Sequence, residues 1–268
     1  MVYFANEQSL KKQLQGLKVD DYQNWIQFKL TTSKEYELFV GTEDSMYTIK
    51  VSKDCLHWEY ALFDFIGYEE SYGKNIILHV SEDDFKQAKQ KYGSCHFQEK
   101  EIRDYEAKVL VHSTLWESWE KIWADGALKS WNKLKRENPD FEVKPIGKQL
   151  GDPENYSDYI MFSNGHIAGE IVVLSKQNGY VDMNQNKFYQ TGARLYFDMC
   201  AIARDGLLVR DGAHLKVKNE LPLEKYLIWV GTWETIGLES QISTPLEFTT
   251  KANQKFNELY AANGFILS

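Results

Sequence analysis

The sequence predicts an α+β protein of two domains, on three observations. Strand-like alternation and helix-like spacing are intermixed along the chain rather than segregated. Its 268 residues exceed the roughly 100 to 200 of an ordinary domain. A charged connector, EKEIRDYEAK, divides an accessory α+β domain, residues 1–105, from a second domain, 106–268.

In the first domain NWIQFKLTT, YELFVGT and MYTIKVS alternate as antiparallel strands do, with the segment from Gly41 to Asp44 as a turn. HWEYALFDFIGYEE reads as a helix ending near Gly67, and NIILHV as a short buried strand. SEDDFKQAKQKYG is a capped helix. Ser81 supplies the N-cap oxygen, Asp84 stands at capping-box distance, and Gly93 is a stop. In the second domain KVLVHS is a strand, and LWESWEKIWADGALKSW a helix broken at Gly126. Its Trp116, Trp119, Ile122 and Trp123 recur at helical spacing, which predicts core packing over base stacking. Pro139, Pro145 and Pro153, with Gly147 and Gly151, mark a long loop. YIMFS, EIVVLS, ARLYFD, LLVRDG with HLKVK, and YLIWVGTW then read as strands, so this half should be strand-rich with few helices.

Composition narrows the function classes. Hydrophobic residues at 43% and charged residues at 26% describe a folded chain rather than a disordered one. A net charge of -8 argues against an extended DNA-binding surface, which needs Lys and Arg against phosphates. Three cysteines, Cys55, Cys95 and Cys200, form no disulfide framework. Neither a signal segment nor an apolar run long enough to span a bilayer is found, so a cytoplasmic protein with no membrane partner is expected. Cys55 with His57, and Cys95 with His96, are spaced too tightly for zinc ligand pairs, and no metal site is expected. GTED, GYEE and GDPE lack the fingerprint of a phosphate-cradling loop, and no Gly-x-Ser-x-Gly elbow occurs.

The positive signal lies in the second domain. VLVHST, a helix, and DGALKS are followed later by ARLYFDMCAIARDGLLVRDGAHLKVKNELPLEKYLIWV. In order and spacing these resemble the RNA 2′-phosphotransferase branch of the ADP-ribosyltransferase superfamily, over roughly residues 109 to 230. The resemblance implies a split β-sheet domain that takes NAD as co-substrate and transfers to an RNA 2′-phosphate, a protein or a nucleic-acid base. It implies that His112 hydrogen-bonds the adenosine ribose, that the Ser113 backbone holds the nicotinamide amide, and that Thr114 supports the turn. Tyr159 would stack on nicotinamide. Ser163, Arg194 and Arg204 would complete the NAD contacts, the arginines toward phosphate, and His214 or Glu220 would serve the reacting ribose. Glu170, Ser175, Lys176 and Arg210 are further polar residues near the expected cleft. Where the phosphotransferases carry Arg-x-His-x-His, SDYIM offers Tyr159 and Met161. The missing cations keep a second reading open, a catalytically inactive NAD- or nucleotide-binding or protein-interaction module.

Overall fold

The computed structural model describes residues 1–32, 38–94, 100–141 and 145–267 of a mixed α+β protein with several sheets. Two compact units emerge. The first is Met1–His96 with Leu150–Glu154 and Arg210–His214, and the second is Phe97–Gln149, Asn155–Val209 and Leu215–Ser268. Cys95 and His96, one of the two Cys/His pairs, lie outside the described residues. Among the described residues no helix is long and apolar enough to cross a membrane.

The first unit runs β1 (Val2–Phe4), α1 (Gln8–Leu14), β2 (Trp25–Thr31), β3 (Leu38–Glu43), β4 (Met46–Ser52), α2 (Trp58–Ser71), β5 (Asn75–His79) and α3 (Glu82–Ser94). Its sheet has the order β1-β5-β2-β4-β3. Period-two alternation puts Ile26, Phe28, Ile49, Val51, Ile76 and Leu78 on one buried face, where the Phe28 ring meets Phe65 of α2 at 5.5 Å. On the other face Trp25, Met46 and Ile77 pack with Tyr3 and Leu10. Among the described residues of this sheet only β3 and β4 pair antiparallel, whereas β2 pairs with β4 and β5 in parallel, correcting the expectation that β2, β3 and β4 are antiparallel strands. Alternation reports which residues are buried and carries nothing about the direction of the neighbouring strand. The hairpin turns at Asp44 and Ser45, with φ of 51° and 64°, and α2 continues past Gly67 to Ser71. Ser81 caps α3 as expected, its Oγ accepting from Asp84 N at 3.1 Å.

The second unit runs β6 (Val109–Thr114), α4 (Trp116–Asp125), β7 (Ala127–Lys129), α5 (Trp131–Glu137), β8 (Tyr159–Phe162), α6 (Ala168–Asn178), β9 (Tyr189–Gln190), β10 (Ala193–Asp198) and α7 (Met199–Arg204). It continues with β11 (Leu208–Arg210), β12 (Leu215–Lys218), β13 (Glu220–Pro222), α8 (Leu223–Tyr226), β14 (Leu227–Gly231), β15 (Ile242–Ser243) and α9 (Pro245–Tyr260). Two three-stranded sheets, β14-β10-β6 and β11-β12-β8, organise it, with smaller pairs β13-β7 and β15-β9. On one face of the first sheet Val109, Val111 and Tyr196 pack against Ala252 and Phe256 of α9, the Tyr196 and Phe256 rings stacked at 4.4 Å. On the other face Leu110, Leu195 and Phe197 join Ile160, Phe162 and Ile202.

The second unit holds more helix than expected. EIVVLS is not a strand but part of α6, which turns Glu170, Ile171, Val173, Leu174 and Ser175 inward and stops at Gly179, φ 74°. A short apolar run does not itself distinguish a buried strand from a buried helical turn. Of the tryptophan stripe, Trp119 and Ile122 pack on the core, while Trp123 is 64% exposed and tilts against Trp119.

Two glycines give opposite predictions. A Cβ at Gly192 would stand 1.8 Å from the Thr114 carbonyl oxygen, because β10 begins hard against the end of β6. Gly67 lies exposed within α2, and a Cβ there meets nothing within 4 Å. Gly67→Ala should raise the unfolding free energy by about 0.5–1 kcal/mol through helix propensity. Gly192→Ala should lower it by roughly 1–3 kcal/mol through overpacking, and urea denaturation of both variants reads the two signs.

Candidate functional site

The two three-stranded sheets of the second unit meet at one isolated antiparallel bridge and then part. Val111 N–H donates to the Ser163 carbonyl at 2.7 Å, and Ser163 N–H to the Val111 carbonyl at 2.9 Å. Along a strand, alternate residues direct their N–H and C=O to the same edge. The backbone groups of Ser113 therefore face the gap that opens just beyond the bridge. His112 stands between Val111 and Ser113, so the structure brings His112, Ser113 and Ser163 together, with Thr114 closing the strand.

His112 is partly buried. Its Nδ1 lies 2.9 Å from the Met161 carbonyl oxygen, and its ring meets Phe162 edge-on at 6.0 Å. A carbonyl only accepts, so Nδ1 carries the proton and Nε2 keeps a lone pair. Burial pushes the imidazole down to about 4; the Met161 hydrogen bond opposes that fall and the Lys176 charge adds to it. At neutral pH His112 is an uncharged acceptor at Nε2, suited to a hydroxyl donor such as a ribose.

On the opposite face of β6 the Ser113 hydroxyl enters a buried polar cluster. It donates to Glu170 Oε1 at 2.5 Å and accepts from Arg194 Nη1 at 3.2 Å. Glu170 and Arg194 are 1% and 0% exposed and pair at 3.3 Å. Tyr189 OH donates to the second Glu170 oxygen at 2.6 Å, and its phenol is held well above the ordinary range by burial and then by that carboxylate. The remaining Arg194 nitrogens reach the Gly165 and His166 carbonyls, Tyr196 OH and Asn253 Oδ1. Gly169 lets α6 approach this closely, since a Cβ there would stand 2.6 Å from Ser113 Oγ.

Arg194 is thus corrected from a phosphate ligand to a structural cation, because every guanidinium nitrogen is already engaged inside the protein. The other expected residues stand elsewhere. Tyr159 is buried, with Lys216 Nζ 4.8 Å from its ring centroid and Lys218 Nζ at 5.9 Å, so ammonium groups occupy the ring expected to stack on nicotinamide. Glu220 opens β13 opposite Lys129 and lies 3.4 Å from Lys133, past the end of β12 farther from the bridge, since Leu215 pairs with Phe162 and Lys218 with Tyr159. His214 groups with the first unit, its Nδ1 3.2 Å from the buried Asp211 carboxylate. Arg204 is exposed in the last turn of α7. Tyr189 and Asn253 were not expected; a tyrosine in a short strand and one Asn in an amphipathic helix give no local signal. A hollow of about 410 Å³ lined by residues including Ile236, Lys251 and Glu258 holds none of the expected site residues.

Compared with family models, with curated proteins and with solved structures, the chain finds no match.

Two measurements probe this geometry. Removing one partner of a buried ion pair strands the other, so Glu170→Ala should lower the unfolding free energy by about 3–5 kcal/mol in urea denaturation. For His112 the folded value lies below the ordinary 6.5, so between pH 6.5 and about 4 the unfolded chain binds more protons. The stability linked to neutral His112 is complete above 6.5 and drains as pH falls toward 4. The urea midpoint of wild type should therefore fall more over that window than that of His112→Gln; parallel curves would show that His112 is not held neutral.

Proposed function

We propose that the second unit is an NAD-dependent transferase domain of the ADP-ribosyltransferase type, binding NAD at the split beside His112 and passing ADP-ribose to an acceptor. RNA 2′-phosphate is the first acceptor to try, and a protein side chain or nucleic-acid base the second. The carrying observation is the parting of β6 from β8 directly after the Val111–Ser163 bridge, which leaves a neutral imidazole and the Ser113 backbone at one opening. His112 Nε2 would accept from an adenosine-ribose hydroxyl, and the Ser113 N–H and C=O would pair with the nicotinamide amide. Cleavage of the nicotinamide bond develops positive charge on the reacting ribose, so holding both ends of NAD contributes through orientation. Ser163 lies across the opening. A reducing cytoplasm suits the free thiols of Cys55 and Cys200.

A second reading, NAD or nucleotide binding without turnover, is favoured by the dispersal of Tyr159, His214 and Glu220 and by the burial of Arg194. Nicotinamide release and calorimetric NAD binding separate the two, measured on wild type and His112→Ala with and without a 2′-phosphorylated oligonucleotide. The transferase reading expects release that falls at least about tenfold in the variant, the effect of losing one positioning hydrogen bond. Binding without release would select the second reading. Neither release nor binding would end both.

A further inference from the structure

The first unit holds a crevice of its own, away from the strands that carry His112. β1, β5, β2 and β4 run parallel, so their carboxyl ends lie along one rim of the sheet. From that rim the chain leaves the neighbouring strands β1 and β5 toward opposite faces. α1 packs through Leu10 on the face of Trp25, Met46 and Ile77. α3 packs through Phe85 against Phe63 of α2, the helix that covers the Phe28 face. Adjacent parallel strands whose connections part in this way leave a gap between them, and open α/β sheets take their ligands at such gaps.

A cavity of about 420 Å³ stands at that gap, in the size range of small-molecule sites. Phe4, Asn6 and Glu7 line it from the turn out of β1, and Glu82, Phe85 and Lys86 from the start of α3. Its floor is aromatic, since Phe4 and Phe85 are partly buried and meet edge to face at 5.2 Å. The polar groups around that floor are exposed and mostly negative. Glu7 Oε1 accepts from Phe4 N–H at 3.4 Å and Oε2 from the Ser9 hydroxyl at 2.9 Å, which orients this carboxylate. Glu82 has no hydrogen bond or ion pair among the described residues, and Lys86 lies 3.9 Å from Asp83. A helix start by itself favours an anion, but the first turn of α3 holds Glu82, Asp83 and Asp84, which repel one. A cation meets carboxylates at the rim and aromatic rings beneath.

We propose that this crevice is a ligand site of the first unit for a small organic cation, seated on the Phe4 and Phe85 rings with Glu7 and Glu82 as its counter-charge. The fold places the gap, the rings supply apolar contact and attraction for positive charge, and the carboxylates select the sign. Neither this site nor the nucleotide reading of the second unit depends on the other.

The test titrates the whole chain with choline, methylguanidinium, the neutral choline isostere 3,3-dimethyl-1-butanol and inorganic phosphate, following backbone amide shifts by NMR. At least one of the two cations should bind at roughly millimolar strength, as fits ligands of so few atoms, and move the amides around Phe4 to Glu7 and Glu82 to Lys86. The isostere and phosphate should bind at least about fivefold more weakly. Replacing both carboxylates, Glu7→Gln with Glu82→Gln, should weaken the cation about fivefold and leave the isostere unchanged. Both side chains are exposed, and Gln keeps an oxygen for the Phe4 N–H and Ser9, so the fold is expected to persist. Phe85→Leu, first checked for a cooperative melt, should also weaken the cation about fivefold. Amides in this crevice that neither cation moves overturn the proposal. So does an isostere or phosphate that binds as tightly as the cations, or a double Gln variant that binds them as wild type does.

Discussion

The buried pair of Arg194 and Glu170 is the constraint on which the second unit depends. A guanidinium at 0% exposure near the start of β10 is tolerable only if its charge is neutralised and its donors are filled. Meeting that demand draws in five parts of the chain: Ser113 from β6, Glu170 from α6, the Gly165 and His166 carbonyls from the loop between β8 and α6, Tyr196 from β10 itself, and Asn253 from α9. None of these would be fixed to the others by apolar packing alone, which is non-directional. The pair is better understood as a specificity device than as a source of stability, since buried ion pairs seldom recover their full desolvation cost.

The same pair also ties down the loop that follows the bridge. The carbonyls that Arg194 holds belong to residues just beyond Ser163, where β8 leaves the bridge to Val111. By anchoring the loop there, the guanidinium helps to set the start of α6 against Ser113. The Ser113 side chain is consumed by the cluster while its backbone is left at the gap. His112, one residue earlier and on the other face, is tied to Met161 just before the bridge. One tether on each side of β6 thus gives the opening its geometry.

Some of this was legible in the sequence because the signals are local. Ser81 and Asp84 form their cap, Gly126 ends α4 at φ 69°, and the VLVHST strand places His112, Ser113 and Thr114 in consecutive registers. The start of α9 was also written locally, in Thr244 and Pro245 followed by Phe248, Ala252 and Phe256 at four-residue spacing, though no helix was expected there. Other features were not local. The parallel pairing of β2 with β4 depends on which strand intervenes in space, and the partner of His112 is a backbone carbonyl that no side chain advertises. Arg194 misled because a charge inside an apolar run marks either a ligand contact or a buried partner. Glu170, also set in an apolar run, was the sign that the two charges belong together.

That pairing changes the electrostatics expected of the site. An arginine free to meet phosphate would have placed a permanent charge in the opening, whereas Arg194 and Glu170 together contribute little net field beyond their own cluster. What holds the His112 imidazole in its neutral form is chiefly burial, to which the Lys176 charge adds. A neutral His112 with Nδ1 fixed on Met161 is a weak base and a poor proton donor at Nε2. Its chemistry is therefore that of a hydrogen-bond acceptor at Nε2, aimed at a hydroxyl or amide donor and not at proton transfer.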